Sequence, residues 1–235
     1  MPRITLIELV KYREWTEELG YDREGVIQVK QSKLYGLLQE YFWEKECFVL
    51  PFRYDYYIVL SNGLTCNTLK NIIEKIKPYT PYGVRVVSTI HKYPVIALLR
   101  AHQILGKNEF FYEDGVEDNI VIAHIDLNKV TELAVQTSIY ESYLEIMTIY
   151  KYINDYAFKY AGITSYLGGD NVIAVLPIDR YEEFLNIIPS YIKVGVGIAF
   201  KARKALELAA KALKNIRSGN NVKNVLVLTD ESLSQ

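Results

Sequence analysis

The chain spells out the same order of elements twice, and this repeat constrains its fold more than any other feature. In the first half a β-rich apolar run covers residues 4–10, and Leu34, Leu37, Leu38 and Tyr41 then recur at helical spacing over 32–43. Short strands follow at 46–50 and 54–60. An amphipathic helix at 65–77 is stopped by Pro78, and a strand at 84–90 and a helix at 94–105 complete the half. The second half repeats this order with a strand at 120–126, a helix at 138–160 and paired strands at 163–167 and 172–176. A helix at 181–188 is stopped by Pro189, and a strand at 192–199, a helix at 202–217 and a last strand at 222–228 follow. The separation of Val10 from Asp126 matches that of Asp55 from Asp170 to within one position. Two copies of one βαββαβ unit predict an α+β chain, each copy an antiparallel sheet with helices packed on one face. The expected domains are residues 1–106 and 119–235, joined by the polar, glycine-bearing linker 107–118.

Composition narrows the partners. The 235 residues bear a formal net charge of −1 and half of them are hydrophobic, so the chain can bury a core. Near-neutral charge gives no global pull toward nucleic acid or a membrane surface, and neither is expected as a partner. No apolar run approaches about 18 residues. Glu8 and Lys11 interrupt the N-terminal stretch where a signal peptide would be apolar. Two cysteines without a CxxC pair suit a cytoplasmic, reducing location. Three histidines without HxxxH or HxH spacing leave no zinc cage, so no zinc is expected. Walker A is absent, and Gly195 and Gly197 are not completed into a dinucleotide fingerprint because Ala199 and Phe200 follow.

The chemistry concentrates in the second half. Residues two apart on a strand share a face, so His124 and Asp126 of IAHIDLN point the same way. The hairpin SYLGGDNVIAVL brings Gly168, Gly169, Asp170 and Asn171 to the neighbouring strand. Two carboxylates at the ends of adjacent strands can bridge magnesium, which takes a few carboxylates and keeps water and phosphate as its other ligands. Read singly, Asp126 caps the next helix and Asp170 fills a turn. Lys201, Arg203 and Lys204 crowd the first turn of the last long helix, where they oppose its dipole unless a phosphate compensates; a solvated basic face is the plainer reading. Arg217 in the last turn favours the dipole.

IAHIDLN, YLGGDN and VGVGI, followed by a helix ending ALKNIRSGNN, resemble the GGDEF-type and class III nucleotide cyclase palm and, more closely, the archaeal GTP cyclohydrolase III family. ITLIELVKYREW, QSKLYGLL and FRYDYYIVLSNGL resemble that family's first repeat, so the similarity runs almost end to end. The resemblance implies two tandem ferredoxin-like, palm-type domains, GTP as substrate and magnesium as cofactor, with a monovalent cation such as potassium as a further requirement. It implies opening of the guanine imidazole ring at C8 with retention of the formyl group, and release of two phosphates. The product it implies is a formylamino-pyrimidine ribonucleotide monophosphate of archaeal flavin and deazaflavin synthesis. It also implies a homo-oligomer.

Carried onto this sequence, the resemblance makes Asp170 a metal-binding carboxylate and adds the Leu127 carbonyl; it leaves His124, at the palm's usual first-acid position, and Asp126 both open as the second ligand, with Asp126 favoured and His124 then near the reacting groups. Asn128, Gly168, Gly169, Asn171, Lys201 and Arg217 are expected around the nucleotide, and Glu132 is a candidate reader of the guanine edge. In the first repeat Val10 stands where the family often has aspartate, which predicts a degenerate metal site there, with Arg53 and Asp55 contributing to binding. Two other readings stay open: a diguanylate-type nucleotide cyclase, which would release pyrophosphate and leave guanine intact, and a GTP-binding module without turnover.

Overall fold

A computed structural model describes residues 1–127, 138–219 and 224–230. Strands β1 (Arg3–Leu9), β2 (Phe48–Leu50), β3 (Tyr56–Leu60), β4 (Val84–Ile90) and β5 (Phe110–Tyr112) form one sheet in the order β2-β3-β1-β4-β5. Strands β6 (Ile120–Asp126), β7 (Ile163–Gly168), β8 (Asn171–Leu176), β9 (Lys193–Ala199) and β10 (Val225–Thr229) form a second, in the order β10-β9-β6-β8-β7. The helices are α1 (Tyr12–Glu18), α2 (Glu24–Trp43), α3 (Cys66–Ile76), α4 (Pro94–Leu105), α5 (Ile139–Lys159), α6 (Tyr181–Asn186) and α7 (Ala202–Arg217). Thr65 and Ser138 cap α3 and α5, accepting from the N–H of Thr68 at 3.2 Å and of Glu141 at 3.1 Å. Each such cap is worth ~1 kcal/mol.

The structure corrects the sequence reading in several places. The sheets are not purely antiparallel: β5 pairs with β4, and β10 with β9, in parallel at the edges. The segment 107–118 is more than a linker, because it contributes β5. Glu117 then fastens it to the first sheet, accepting from Arg3 Nε at 2.7 Å and from the Gly63 N–H at 2.6 Å. Arg3 is itself buried, lies 4.0 Å over the Tyr112 ring and donates to Ser88 Oγ at 3.1 Å, so the buried charge is paired and hydrogen-bonded.

Helices cover both faces of each sheet rather than one. Val49, Tyr57 and Val59 of the first sheet pack with Leu34, Leu38, Leu69 and Ile72 of α2 and α3. On the second, Val121, Ala123 and Ile125 pack with Ile146, Ile149 and Ile153 of α5. The third cluster joins the halves, with Ile4, Leu6 and Ala101 against Ile122, Ile173 and Ala205, so α4 and α7 lie inside. The signal was present in β6, whose run of Ile120, Val121, Ile122 and Ala123 is apolar on both faces and entirely buried.

Gly195 and Gly197 belong to this packing and not to a phosphate loop. A Cβ on Gly195 would fall 2.1 Å from the Ala209 carbonyl oxygen, and one on Gly197 would fall 1.9 Å from that of Ala205. The glycines let α7 lie directly on β9.

Strand register also moves the equivalence between the repeats. Asp126 pairs with Asn171 and Lys193, whereas Glu8 pairs with Tyr56 and Arg85. The Leu127 N–H donates to the Asp170 carbonyl at 3.1 Å and the Leu9 N–H to the Asp55 carbonyl at 2.9 Å. Glu8, not Val10, therefore stands in the place of Asp126, and the first repeat keeps an acid at both positions.

Candidate active site

The site forms where the C-terminal end of β6 meets the β7–β8 hairpin and the last turn of α7. Asp126 has no exposed surface at all. Two donors of Arg217 converge on one carboxylate oxygen, Oδ2: Nε at 2.7 Å and an Nη group in a further short contact. Among the described residues the other oxygen, Oδ1, is buried without a hydrogen-bond partner. A buried carboxylate oxygen left unpaired is costly, and such groups mark places built for something else to bind. Arg217 itself is 47% exposed, so it approaches Asp126 from the solvent side.

His124 sits one row along the same face, between Ile173 and Gly195. Its Nε2 shares a hydrogen bond of 2.9 Å with Asn171 Oδ1, and Asn171 Nδ2 donates to Asp170 Oδ1 at 2.8 Å. Asn171 thus links the histidine to the hairpin carboxylate. Burial pushes the His124 pKa below its usual 6.5, although the Asn171 bond and Asp126 act the other way. The hairpin tip is pinned by the Tyr166 hydroxyl, which donates to the Gly169 carbonyl at 2.9 Å.

Gly168 and Gly169 have φ of +103° and +59°, and this backbone already accounts for both glycines without a ligand. In the first repeat Tyr54 takes φ +65° beside Asp55, which shows how a non-glycine chain makes a similar turn under strain. Among the described residues a Cβ at Gly168 would meet nothing within 4 Å.

His124, Asp126, Asp170, Asn171, Gly168, Gly169 and Arg217 therefore come together. Leu127 follows Asp126 directly and is hydrogen-bonded to the hairpin. Lys201 does not join them. It caps the opposite end of α7, which at 1.5 Å per residue is about 24 Å from Arg217. There its Nζ donates to the Asn62 carbonyl at 3.3 Å, bracing the two halves against each other. Arg53 and Asp55 pair with one another at 2.7 Å in the first repeat. Asn128 and Glu132 lie outside the described residues. Two residues escaped sequence reasoning: Lys193, paired with Asp126 across β9, and Glu8. The lysine's place before VGVGI was its only cue.

Among the described residues no three His, Cys, Asp or Glu side chains form a metal-holding group. Magnesium uses one or two carboxylates beside water and phosphate. The unpaired Asp126 Oδ1, with Asp170 on the adjoining strand, fits such an ion.

The sequence profile of the GTP cyclohydrolase III family matches residues 1–230. A relative called GTP cyclohydrolase III from Aeropyrum pernix is 39% identical over 226 residues, covering 93% of each chain. Another of that name, from Saccharolobus solfataricus, is 34% identical over 221 residues, covering 92% of this chain and 95% of its own. A bacterial light-regulated adenylyl cyclase of known structure overlaps 97% of this chain and 85% of its own at 10% identity, with a TM-score of 0.39. Among the described residues no helix is long and apolar enough to cross a membrane.

Proposed function

Because the chain belongs to the GTP cyclohydrolase III family, and is an enzyme of that type, we propose that it opens the guanine imidazole ring of GTP by hydrolysis, with magnesium as cofactor and release of two phosphates. The product is then a formylamino-pyrimidine ribonucleotide monophosphate. The observation that carries this reading is the unpaired, buried Oδ1 of Asp126 beside the His124–Asn171–Asp170 chain of hydrogen bonds.

Asp126 Oδ1 and Asp170 are the oxygens that would hold the metal, with the Leu127 carbonyl next to them. When bound, magnesium supplies charge for phosphoryl oxygens and a lowered pKa for coordinated water. His124 is held neutral near pH 7 by burial, so it is ready to accept a proton as general base. Asn171 fixes the plane of its ring. Arg217 presents its solvent-side donors to the phosphates. Potassium enters as a supporting cation and the assembly as a homo-oligomer; both rest on the family alone.

Incubation with GTP and magnesium, followed by product mass, a phosphate count and the ultraviolet spectrum, tests the proposal. Expected are two phosphates per GTP and loss of the guanine chromophore. Asp126→Asn and Asp170→Asn should each lower the rate by ~100-fold or more. Pyrophosphate with an intact chromophore, or normal turnover by both variants, overturns it.

A further inference from the structure

Strand register sets one more charge beside Asp126, and the first repeat shows what a charge at that place does when it pairs within the chain. Lys193 opens β9 directly opposite Asp126. Glu8, which holds the place of Asp126 in the first repeat, has Arg85 opposite it on β4. Cβ atoms paired in this way lie about 4.5–5.5 Å apart on one face of the sheet. In the first repeat the two side chains meet, with Arg85 reaching Glu8 at 3.4 Å. In the second they do not. Arg217 arrives from α7 and takes Asp126 Oδ2, and among the described residues Lys193 makes no hydrogen bond or ion pair.

Packing decides where this ammonium group points. Val194 and Val196 turn to the α5 side, in one cluster with Ile146 and Ile149, so Lys193 shares the α7 side with Gly195 and Gly197. Gly197 lies against Ala205, and Gly195 against Ala209 and Leu213. Two residues along β9 thus match about one turn of α7. The next step brings Lys193 level with the last turn of the helix, which carries Arg217. Lys193 is half-buried there, so its stem lies against the protein while its charge has no counter-charge among the described residues. A cation kept in this way beside the open oxygen of Asp126 suits an anionic ligand.

We propose that Lys193 binds a phosphoryl oxygen of the GTP triphosphate, so that Lys193 and Arg217 hold the phosphates from β9 and from α7. The proposal rests on reading the second repeat as the GTP site. The two repeats explain the division of labour. Because Arg217 neutralises Asp126, the strand cation that does this work in the first repeat is released for substrate. Lysine suits the task, as a compact charge on a flexible stem with donors that turn to follow a phosphate. A lysine at this end of a helix can also do no more than steady the helix dipole, and the test separates the two roles.

Calorimetric titration of the full chain with inorganic tripolyphosphate in magnesium tests the proposal, because this probe has the phosphates and no base. Lys193→Gln should weaken binding by about tenfold or more, the worth of one charge-assisted hydrogen bond. Lys193→Arg keeps the charge and should stay within about threefold of the unaltered chain. KM for GTP should rise with the lost affinity in Lys193→Gln, with kcat changed less. Its Tm should stay within about 1 °C of the unaltered chain. An unaltered chain that does not bind tripolyphosphate overturns the proposal. So does a glutamine variant that binds it equally well, or an arginine variant as weak as the glutamine one. A glutamine variant that melts several degrees lower assigns Lys193 to support of α7 and overturns it too. Failure of the catalytic reading shows separately, as tripolyphosphate binding without magnesium-dependent turnover of GTP by the unaltered chain.

Discussion

Arg217→Met tests whether the cation at the end of α7 holds the buried carboxylate in place. The substitution keeps most of the aliphatic stem and removes every donor, so both bonds to Asp126 Oδ2 are lost. Removing one partner of a buried ion pair costs ~3–5 kcal/mol because the other charge stays buried. Arg217 is 47% exposed, which screens the pair. The expected loss is therefore about 1–3 kcal/mol. For a chain of this length that lowers Tm by roughly 2–12 °C. Differential scanning calorimetry in EDTA is the assay. The decisive comparison is the double variant Asp126→Asn/Arg217→Met. Its neutral amide leaves no buried charge to strand, so it should recover at least about half of the loss, giving a coupling of about 1 kcal/mol or more. A single variant that melts with the unaltered chain, or a double variant that melts as the sum of the singles, refutes the reasoning.

Three further outcomes follow from the structure. Gly197→Ala places a methyl 1.9 Å from the Ala205 carbonyl oxygen, so α7 must shift; a loss of about 3 kcal/mol in chemical denaturation is expected. His124 has its pKa lowered by burial, so the unfolded chain takes up its proton first; stability above pH 6.5 is unaffected and falls as pH drops from 6.5 through the lower folded value. His124→Gln should remove that part of the slope in Tm against pH, and an identical slope would refute it. Cys47 is buried with its thiol pushed up to about 12, while Cys66 is partly exposed; iodoacetamide at pH 8 should label Cys66 in the native chain and reach Cys47 only after denaturation, as read by peptide mass.

Much of the fold was legible because several elements carry unambiguous local signals. β4, α4, β6 and α7 begin and end where the pattern places them, α4 helped by Pro94 at its first turn and α7 by its evenly spaced buried alanines and leucines. α1 escaped notice and α2 starts at Glu24 rather than residue 32, because exposed Val26 and Val29 blur its amphipathic spacing. The site was legible as residue types, since HID and GGDN lie on strands that pattern alone makes neighbours. Its wiring was not. Arg217 reaches Asp126 only because helix α7 runs the length of the sheet. Likewise Glu8 takes the place of Asp126 through hydrogen-bond register, which counting along the chain misses by two positions.

The pair of glycines in β9 connects these observations. Because Gly195 and Gly197 bring α7 onto the sheet, the last turn of that helix arrives directly over Asp126, and Arg217 can reach a carboxylate with no exposed surface. The first repeat has Val87 and Thr89 at the corresponding positions of β4. The Thr89 hydroxyl donates to the Ala97 carbonyl at 2.8 Å, so a side chain stands where, on β9, the helix backbone at Ala205 lies directly against Gly197. That side chain stands between α4 and the sheet, and α4 also ends at Leu105 with no arginine to deliver to Glu8. Its acids draw their arginines from β4 and the hairpin instead. A difference of two side chains on one strand thus decides whether the helix above it brings an arginine to the carboxylate at the end of the central strand.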